Sequence, residues 1–381
     1  MSLSKRIFIT SSIILLVSLL LWGVYLLSFR NTSSSIDKTS LSNTLTDFSR
    51  PSSQTTSPIE ALTDEAILSP ILSATGESIK YYSQTTGKAF ELNILTQEKT
   101  ILSATELINL TGIVWSPNTT KVISRFPRDN ASSNFFFYDY SQKKGAALTS
   151  GINYIVWQNN NKIVYKYFNS ATQEQSLNIA DPDGSSWEKI ITLPSQDTRI
   201  APIPKTGLVS FWDKPDSFSQ STLQSVPSFG GEVKIVTSGR FGADYLWSED
   251  GSFLLESSVE TAGSTKLQLG VMNNFGGEYK NLGIPTVVSK CVWSKNNKNI
   301  YYALPSLIPA EAVMPNDYDN AKLNTSDTFW SVNVATGEKT RLVDLDKITQ
   351  AYDATRLLLS SDESRLFFVN KIDGKLYQIS L

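Results

Sequence analysis

One short phrase recurs along the chain and limits its possible folds more than any other feature. It consists of an apolar run, a turn rich in Ser, Asn, Asp, Gly or Pro, and a second apolar run, as in GIVWSPNTTKVISRF and YLWSEDGSFLLES. Aligned on the last residue before the turn, seven copies are separated by 43, 42, 46, 44, 46 and 66 residues. These alignment residues, called the anchors below, are Leu72, Trp115, Trp157, Ile203, Trp247, Trp293 and Leu359. A near-constant period of this length predicts a repeat fold.

Each copy has the composition of short β-strands. Runs of Val, Ile, Tyr, Phe and Trp alternate with turn residues, and no segment after residue 58 keeps the period of an amphipathic helix. The second copy predicts four strands, at residues 111–115, 121–126, 134–139 and 145–149. Four antiparallel strands in ~40 to 45 residues form one blade of a β-propeller. We therefore predict an all-β fold, a seven-bladed β-propeller over residues 58–381.

The seventh copy shows only three strands, at residues 354–359, 364–370 and 374–380. A blade without its outer strand would expose an unpaired sheet edge. Residues 59–63, just before the first copy, resemble the outer strand of the second copy. We therefore predict that residues 59–63 complete the last blade and join the two ends of the domain.

The first 57 residues differ in composition from the repeats. Residues 7–29 carry no charge, and at ~1.5 Å per residue this segment is long enough to span the ~30 Å hydrocarbon core of a bilayer. We predict an uncleaved transmembrane helix there, with a secretory signal peptide as the alternative. Lys5 and Arg6 predict that residues 1–6 are cytoplasmic and that the propeller lies outside, at the cell surface. Residues 30–57, rich in Ser and Thr, predict a flexible linker, so the chain is interpreted as a single-pass membrane protein.

Several phrases of the repeat carry a family resemblance. WSPNTTKVI and WSEDGSFLL, with the third-strand endings LNIADPDGSSWEKI and FWSVNVATGEKTRLV, resemble the repeats of TolB-type propellers, a WD-like class similar to the propellers of prolyl-oligopeptidase-like enzymes. The resemblance covers most of residues 59–381. It implies a non-enzymatic, extracytoplasmic propeller that binds partners on its faces.

The residue types needed for most catalytic chemistry are missing from the sequence. Histidine is absent, which excludes Ser-His-Asp catalysis and His-ligated metals, and there is no G-x-S-x-G elbow and no nucleotide-binding loop. The net charge is -2, without a basic block that would favour nucleic acid. Cys291 is expected to be a buried, unreactive residue. We predict no catalytic residue, no cofactor, no metal site and no nucleic-acid partner.

These observations favour a non-catalytic binding or scaffolding module. We predict a monomeric propeller that binds a protein or a component of the cell envelope, attached to the membrane through residues 7–29. The alternative is a carboxylate-based enzyme, a glycosidase or a lyase, with its site in the propeller channel. Asp or Glu side chains of different copies that converge within ~10 Å at the channel mouth would favour the enzyme.

One interval in the repeat is longer than the others and predicts a binding loop. The excess, about 20 residues, lies in residues 305–328, between the second and third strands of the sixth copy. Long loops in repeat arrays often lie on the binding face, although a tolerated surface insertion is the alternative. The residues predicted to bind a partner are Leu307, Ile308, Glu311, Val313, Met314, Asp317, Tyr318 and Asp319.

Overall fold

The chain folds into antiparallel β-sheets. A computed structural model describes residues 58–127, 134–195 and 197–381, and these ranges contain 27 β-strands, one α-helical turn and two 3-10 turns. The strands form five four-stranded sheets and one seven-stranded sheet. The prediction of an all-β fold is confirmed.

The first three sheets follow the chain from β2 to β13, each with its strands in sequence order. One sheet contains β2 Ile67–Leu72, β3 Ser78–Ser83, β4 Ala89–Asn93 and β5 Lys99–Ser103. The next contains β6 Gly112–Trp115, β7 Lys121–Phe126, β8 Asn134–Asp139 and β9 Lys144–Ala147. The third contains β10 Ile152–Asn159, β11 Lys162–Asn169, β12 Glu174–Ala180 and β13 Glu188–Thr192. The four strands predicted for the second copy are thus present, with small differences at their ends.

The seven-stranded sheet is held together by one long strand. Its members are β14 Thr198–Pro202, β15 Leu208–Asp213, β16 Gln220–Pro227, β17 Lys234–Trp247, β18 Phe253–Val259, β19 Leu267–Asn273 and β20 Lys280–Asn281. The first half of β17 pairs with β16 and the second half pairs with β18, with a register shift between Phe241 and Asp244. The strand therefore ends one four-stranded unit and begins the next.

The remaining strands form two sheets, one of which joins the two ends of the described chain. One contains β21 Cys291–Trp293, β22 Asn299–Pro305, β23 Asp327–Asn333 and β24 Lys339–Arg341. The other contains β25 Ala354–Leu359, β26 Arg365–Asn370, β27 Leu376–Ser380 and, at its edge, β1 Ile59–Ala61. The helical turn α1 is Asn316–Asp319, and the 3-10 turns are Val288–Lys290 and Leu345–Lys347.

The predicted closure by the segment before the first copy is confirmed. Ile59 pairs with Ile379 in antiparallel register, and the Leu62 amide donates to the Leu376 carbonyl at 2.8 Å. Ile59 is buried in the same cluster as Ile379. The first strands of successive sheets, such as β2 and β6, β6 and β10, and β25 and β2, contact one another. This arrangement is consistent with a β-propeller.

The tryptophan anchors pack between neighbouring sheets. The indole N–H of Trp115 donates to the Ser69 carbonyl at 2.9 Å, and that of Trp157 donates to the Val114 carbonyl at 3.0 Å. Both rings are buried, and both bond to the first strand of the preceding sheet. Burial of a ring of this size contributes several kcal/mol, at about 25 cal/mol per Å² of apolar surface. These tryptophans therefore stabilise the sheet-to-sheet contacts.

The predicted membrane attachment receives no support. Residues 1–57, which include the predicted helix at 7–29 and the linker at 30–57, lie outside the described residues. Among the described residues, no helix is long and apolar enough to cross a membrane. The prediction of a single-pass protein at the cell surface is corrected to this extent: residues 58–127, 134–195 and 197–381 contain no membrane-spanning helix.

Candidate functional site

The predicted binding loop packs against the sheets instead of projecting as a free insertion. Met314 and Tyr318 are buried, and Ile308 packs against the same apolar cluster, which includes Val259 and Val287. Val259 is the last residue of β18, and Val287 directly precedes the 3-10 turn Val288–Lys290. The apolar side chains of the loop therefore stabilise its attachment to this face.

Polar contacts of the loop reach distant parts of the chain. Asp319 accepts from Arg199 at 3.0 Å, across 120 residues of sequence. Asp317 instead accepts from the Val313 amide at 2.8 Å and from Lys322 at 2.9 Å, both within the loop. Of the predicted loop residues, Asp319 thus makes an ion pair outside the loop, whereas Asp317 stabilises the loop itself.

The helical turn α1 fixes the loop beside β17. The side-chain oxygen of Asn316 accepts from the Ser217 amide at 2.8 Å, and a Cβ added to Gly242 would lie 2.8 Å from Pro315.

Leu307 is 78% exposed and Glu311 is also exposed, so these two predicted residues remain at the surface.

Hydrogen bonds at the turns correct one anchor of the sequence alignment. In the second copy, the amide of Ser116, the residue directly after the anchor Trp115, donates to the Lys121 carbonyl five positions later. In the fourth copy, the amide that makes the equivalent bond is that of Ile203, which donates to the Leu208 carbonyl. Pro202, and not Ile203, therefore occupies the anchor position in the fourth copy. The residues three positions before the seven anchors are then Ser69, Gly112, Tyr154, Arg199, Asp244, Lys290 and Arg356.

Several residues at this repeat position converge on one site. The charges of Arg199, Asp244, Arg125 and Arg356 all act on the hydroxyl of Tyr154, whose pKa is raised mainly by burial. These five residues belong to β14, β17, β7, β25 and β10, which come from different four-stranded units. Side chains from so many units meet where the first strands surround a common centre. We call this set, together with Ser69, the channel mouth.

One side of the channel mouth is a closed ion-pair network. The Arg199 guanidinium donates to Asp244 and, from its other terminal nitrogen, to Asp319. The second oxygen of Asp244 accepts from the Trp212 indole at 3.1 Å. Burial raises the pKa of Asp244, although the Arg199 charge acts in the opposite direction. Both oxygens of Asp244 are thus occupied, and the guanidinium lies between the two carboxylates.

The other side of the channel mouth carries two arginines without a carboxylate partner among the described residues. Arg356 donates to the Ser69 hydroxyl at 3.5 Å, and Arg125 donates to the Thr111 hydroxyl at 3.2 Å and to its carbonyl at 3.3 Å. Burial is the main cause that lowers the pKa of Arg356, and the positive charge of Arg125 lowers this pKa further. The Ser69 hydroxyl also accepts from the Ile113 amide at 3.2 Å, and a Cβ at the preceding Gly112 would lie 3.6 Å from the Arg125 guanidinium, so both arginines border this part of β6. The charges of both act on Tyr154, which is 41% exposed. Two nearby positive charges that no described carboxylate neutralises favour the binding of an anion.

The backbone at two of these positions is unusual. Ser69 and Arg356 have φ angles of 49° and 52°, and both lie at register shifts in the first strand of their sheets. A left-handed conformation at a non-glycine residue is uncommon, and bulges of this kind often redirect a side chain next to a functional site. The two bulges therefore bring the Ser69 and Arg356 side chains together.

A concavity lies beside β7 and β8. It has a volume of about 530 Å³, and none of its lining side chains is charged. Six of the lining residues are aromatic, namely Tyr82, Phe126, Phe136, Phe137, Tyr138 and Tyr140. Arg125 of the channel mouth precedes Phe126 in β7, so the two features share a strand.

The described residues do not form a metal site. No group of three or more Asp, Glu, Cys or His side chains in ranges 58–127, 134–195 and 197–381 is placed to hold an ion, and the chain has no histidine. Cys291 is buried, and burial raises the pKa of its thiol. It is therefore not available as a thiolate ligand.

Comparison with solved structures identifies the fold. No protein-family profile and no curated protein sequence matches the chain. An oligogalacturonate lyase in complex with manganese is similar, with a TM-score of 0.62 at 13% identity over 85% of this chain and 93% of that one. The oligogalacturonate lyase from Vibrio parahaemolyticus is similar with a TM-score of 0.61 and 13% sequence identity, over 84% of this chain and 93% of that chain. The β-propeller domain of the Trilobed protease from Pyrococcus furiosus is similar with a TM-score of 0.55 and 11% sequence identity, over 82% of this chain and 92% of that chain.

These comparisons correct the functional interpretation made from the sequence. The similar structures are β-propellers, as predicted, but two of them are lyases, which contradicts the preference for a non-catalytic scaffold and for a protein that is not an enzyme. At 13% identity the similarity itself establishes a shared fold. The activity of this chain is therefore argued from its own channel mouth.

Sequence reasoning missed most of the channel mouth. It named Asp319, which pairs with Arg199, but it did not name Arg125, Tyr154 or Arg356. A signal was present, because the position three residues before each anchor carries a mostly polar residue that varies between copies. A polar position inside a strand that must pack at the centre of a ring predicts a channel lining.

Proposed function

We propose that this protein is a lyase that acts on acidic oligosaccharides at the channel mouth. The observation that carries the proposal is the pair of arginines, Arg125 and Arg356, which lie beside Tyr154 without a carboxylate partner among the described residues. A sugar acid carries the planar anion that a guanidinium binds best. The similar fold of two oligogalacturonate lyases supports the choice of reaction.

The proposed reaction is an elimination. A water molecule takes the proton from the carbon next to the carboxylate, and the electron pair of that C–H bond forms the C=C bond. The glycosidic C–O bond breaks with its electron pair on the leaving oxygen, which takes a proton from Tyr154, and solvent then returns the first proton to Tyr154. The carboxylate charge opposes loss of the carbon proton, so its neutralisation by Arg125 and Arg356 stabilises the transition state. Tyr154, whose pKa is raised by burial, is a neutral phenol at pH 7 and can donate the proton to the leaving oxygen.

The arrangement of carboxylates favours a lyase over a glycosidase. Asp244 and Asp319 do converge at the channel mouth, as the enzyme alternative requires. A glycosidase, however, needs one carboxylate on each side of the bond to be cleaved. Here the Arg199 guanidinium fills the space between them, and Asp244 has no free oxygen. These two acids are better suited to positioning Arg199 than to attack on a sugar.

The finer features of the fold belong to the same proposal. We infer seven blades, because counting β17 in both of its units divides the seven-stranded sheet into two four-stranded blades. The loop at residues 305–328 would cover the Arg199 side of the channel mouth and leave the Arg356 side open to substrate. The aromatic concavity beside β7 would bind further sugar rings through stacking. A TolB-type ancestry and a protein partner stay predictions.

The test is a direct assay of the full chain with polygalacturonate. Elimination produces a double bond conjugated to a carboxylate, which absorbs ultraviolet light, whereas hydrolysis produces reducing ends without this absorbance. We expect the absorbance to rise, and Tyr154→Phe to lower kcat far more than KM. Arg341→Ala, which changes an arginine stacked on Trp330 in an outer strand, is the matched control. Reducing ends without absorbance would establish hydrolysis and refute the proposal.

A further inference from the structure

We propose that the Arg125 and Arg356 guanidinium groups, and not a metal ion, receive the substrate carboxylate, so that binding and turnover need no manganese. This inference rests on the proposed function and defines how the same site recognises its substrate. It separates this chain from the similar lyase whose structure contains manganese.

The side chains of the channel mouth do not suit a divalent cation. Manganese is bound in proteins by carboxylate, carbonyl and imidazole groups. The two acids of this site, Asp244 and Asp319, both bond to Arg199, and histidine is absent from the chain. Three guanidinium groups in the same region would also repel a cation. The positive charge that a metal would supply is already present as arginine.

The hydrogen-bond donors of the arginine pair are available to a carboxylate. Arg125 uses its Nε and one terminal nitrogen on Thr111, and Arg356 makes one long contact with Ser69. The remaining N–H groups have no acceptor among the described residues. A guanidinium presents five donors in a fixed fork, which matches the two oxygens of a carboxylate. An anion between the two groups would also relieve the repulsion that lowers the pKa of Arg356.

The position of Arg356 is set by the fold and not by the ligand. Its left-handed backbone lies in a bulge of β25, next to the matching bulge at Ser69 in β2. Both strands are anchored by buried residues, such as Ile67 and Leu359. A donor that is already in place loses little conformational entropy on binding, which favours affinity.

The experiment measures binding of galacturonate oligosaccharides to the full chain by calorimetry, in EDTA and in manganese chloride. We expect equal affinity within about twofold in the two buffers, and a loss of about 10- to 100-fold for Arg356→Ala and for Arg125→Ala. Arg356→Lys, which keeps the charge but loses the fork, should fall between. The methyl ester of the same oligosaccharide, without the charge, should bind as weakly to the native protein as the acid binds to Arg356→Ala.

The outcomes separate this inference from the proposed function. Binding that needs manganese, or that survives both arginine substitutions, would overturn the inference even if the ultraviolet assay detects elimination. Binding in EDTA that depends on the arginines, without any elimination, would overturn the proposed reaction and leave the carboxylate site in place. Urea unfolding of each variant, compared with Arg341→Ala, ensures that a lost affinity reflects the lost side chain.

Discussion

Replacing Lys290 by Met should strongly destabilise the folded protein. Lys290 is fully buried, and its Nζ donates to Asp327 at 2.6 Å, to Asp353 at 2.7 Å and to the Ala354 carbonyl at 3.0 Å. Met has a similar length but no charge, so the variant would leave two buried carboxylates without their counter-ion. Breaking a buried ion pair in this way destabilises by about 3–5 kcal/mol. We expect this loss in the free energy of unfolding at pH 7.

The loss should depend on pH. Burial alone would raise the pKa of Asp353, but Lys290 holds it below its ordinary value, whereas burial keeps the pKa of Asp327 raised. A lowered folded-state pKa stabilises the native protein above the unfolded value of about 3.9 and no longer does so as the pH falls through the folded value. Without Lys290 both acids would be easier to protonate in the folded state. The difference in stability between native protein and variant should therefore shrink as the pH falls through the raised folded-state pKa values of the two acids in the variant, and it should be smaller at pH 4 than at pH 7.

The assay is urea unfolding followed by tryptophan fluorescence at pH 7 and pH 4. Lys266→Met is the control, because this lysine is largely exposed and makes only a 3.7 Å ion pair with Glu260. The control should unfold like the native protein. A loss below about 1 kcal/mol for Lys290→Met, or an equal loss at both pH values, would refute the reasoning from burial.

Three further changes test other parts of the structure. Deleting residues 58–64 should lower the free energy of unfolding by several kcal/mol, because the deletion removes the strand that pairs with β27. Deleting residues 40–46, an equal length of chain, should leave the free energy of unfolding unchanged. Equal melting temperatures for the two deletions would contradict the closure. Glu256 is fully buried, and burial raises its pKa, so native stability should fall as the pH rises through the folded value. Glu256→Gln should flatten this dependence in unfolding curves at pH 5 and pH 8. Tyr318→Phe removes the 2.7 Å bond to Asp353 and should destabilise by about 1–2 kcal/mol in urea; an unchanged midpoint would count against this bond.

The repeat architecture could be predicted because its signals are local. Strand composition, turn residues and the spacing of the anchors are all written in short stretches of sequence, and the edge strand at Ile59 followed from the need to pair a blade edge. The fourth anchor was misplaced by one residue, because Pro202 stands where other copies have Trp or Leu and no large side chain marks the position. With the anchor placed at Ile203, the position three residues earlier is Ile200, so Arg199 was not recognised as a member of this repeat position.

The channel mouth could not be predicted because its residues meet only after the ring has formed. Tyr154 and Arg356 are 202 positions apart, and no local pattern connects them. The loop at residues 305–328 was recognised by its length, but its packing depends on partners such as Ser217 and Arg199, which lie in other copies. Contacts of this kind follow from tertiary structure, and the composition of one segment does not specify them.

The anchors and the position three residues before them contribute differently to the repeat. An anchor such as Trp115 bonds to the backbone of the preceding sheet through the Ser69 carbonyl, and this contact does not involve the side chain three residues before the anchor. The residue at that position differs between copies. Gly112 lies beside the Arg125 guanidinium, Lys290 bonds to two buried acids, and Arg356 faces the channel mouth. Because Arg356 contributes no anchor contact, its substitution should change ligand binding while the sheets remain packed.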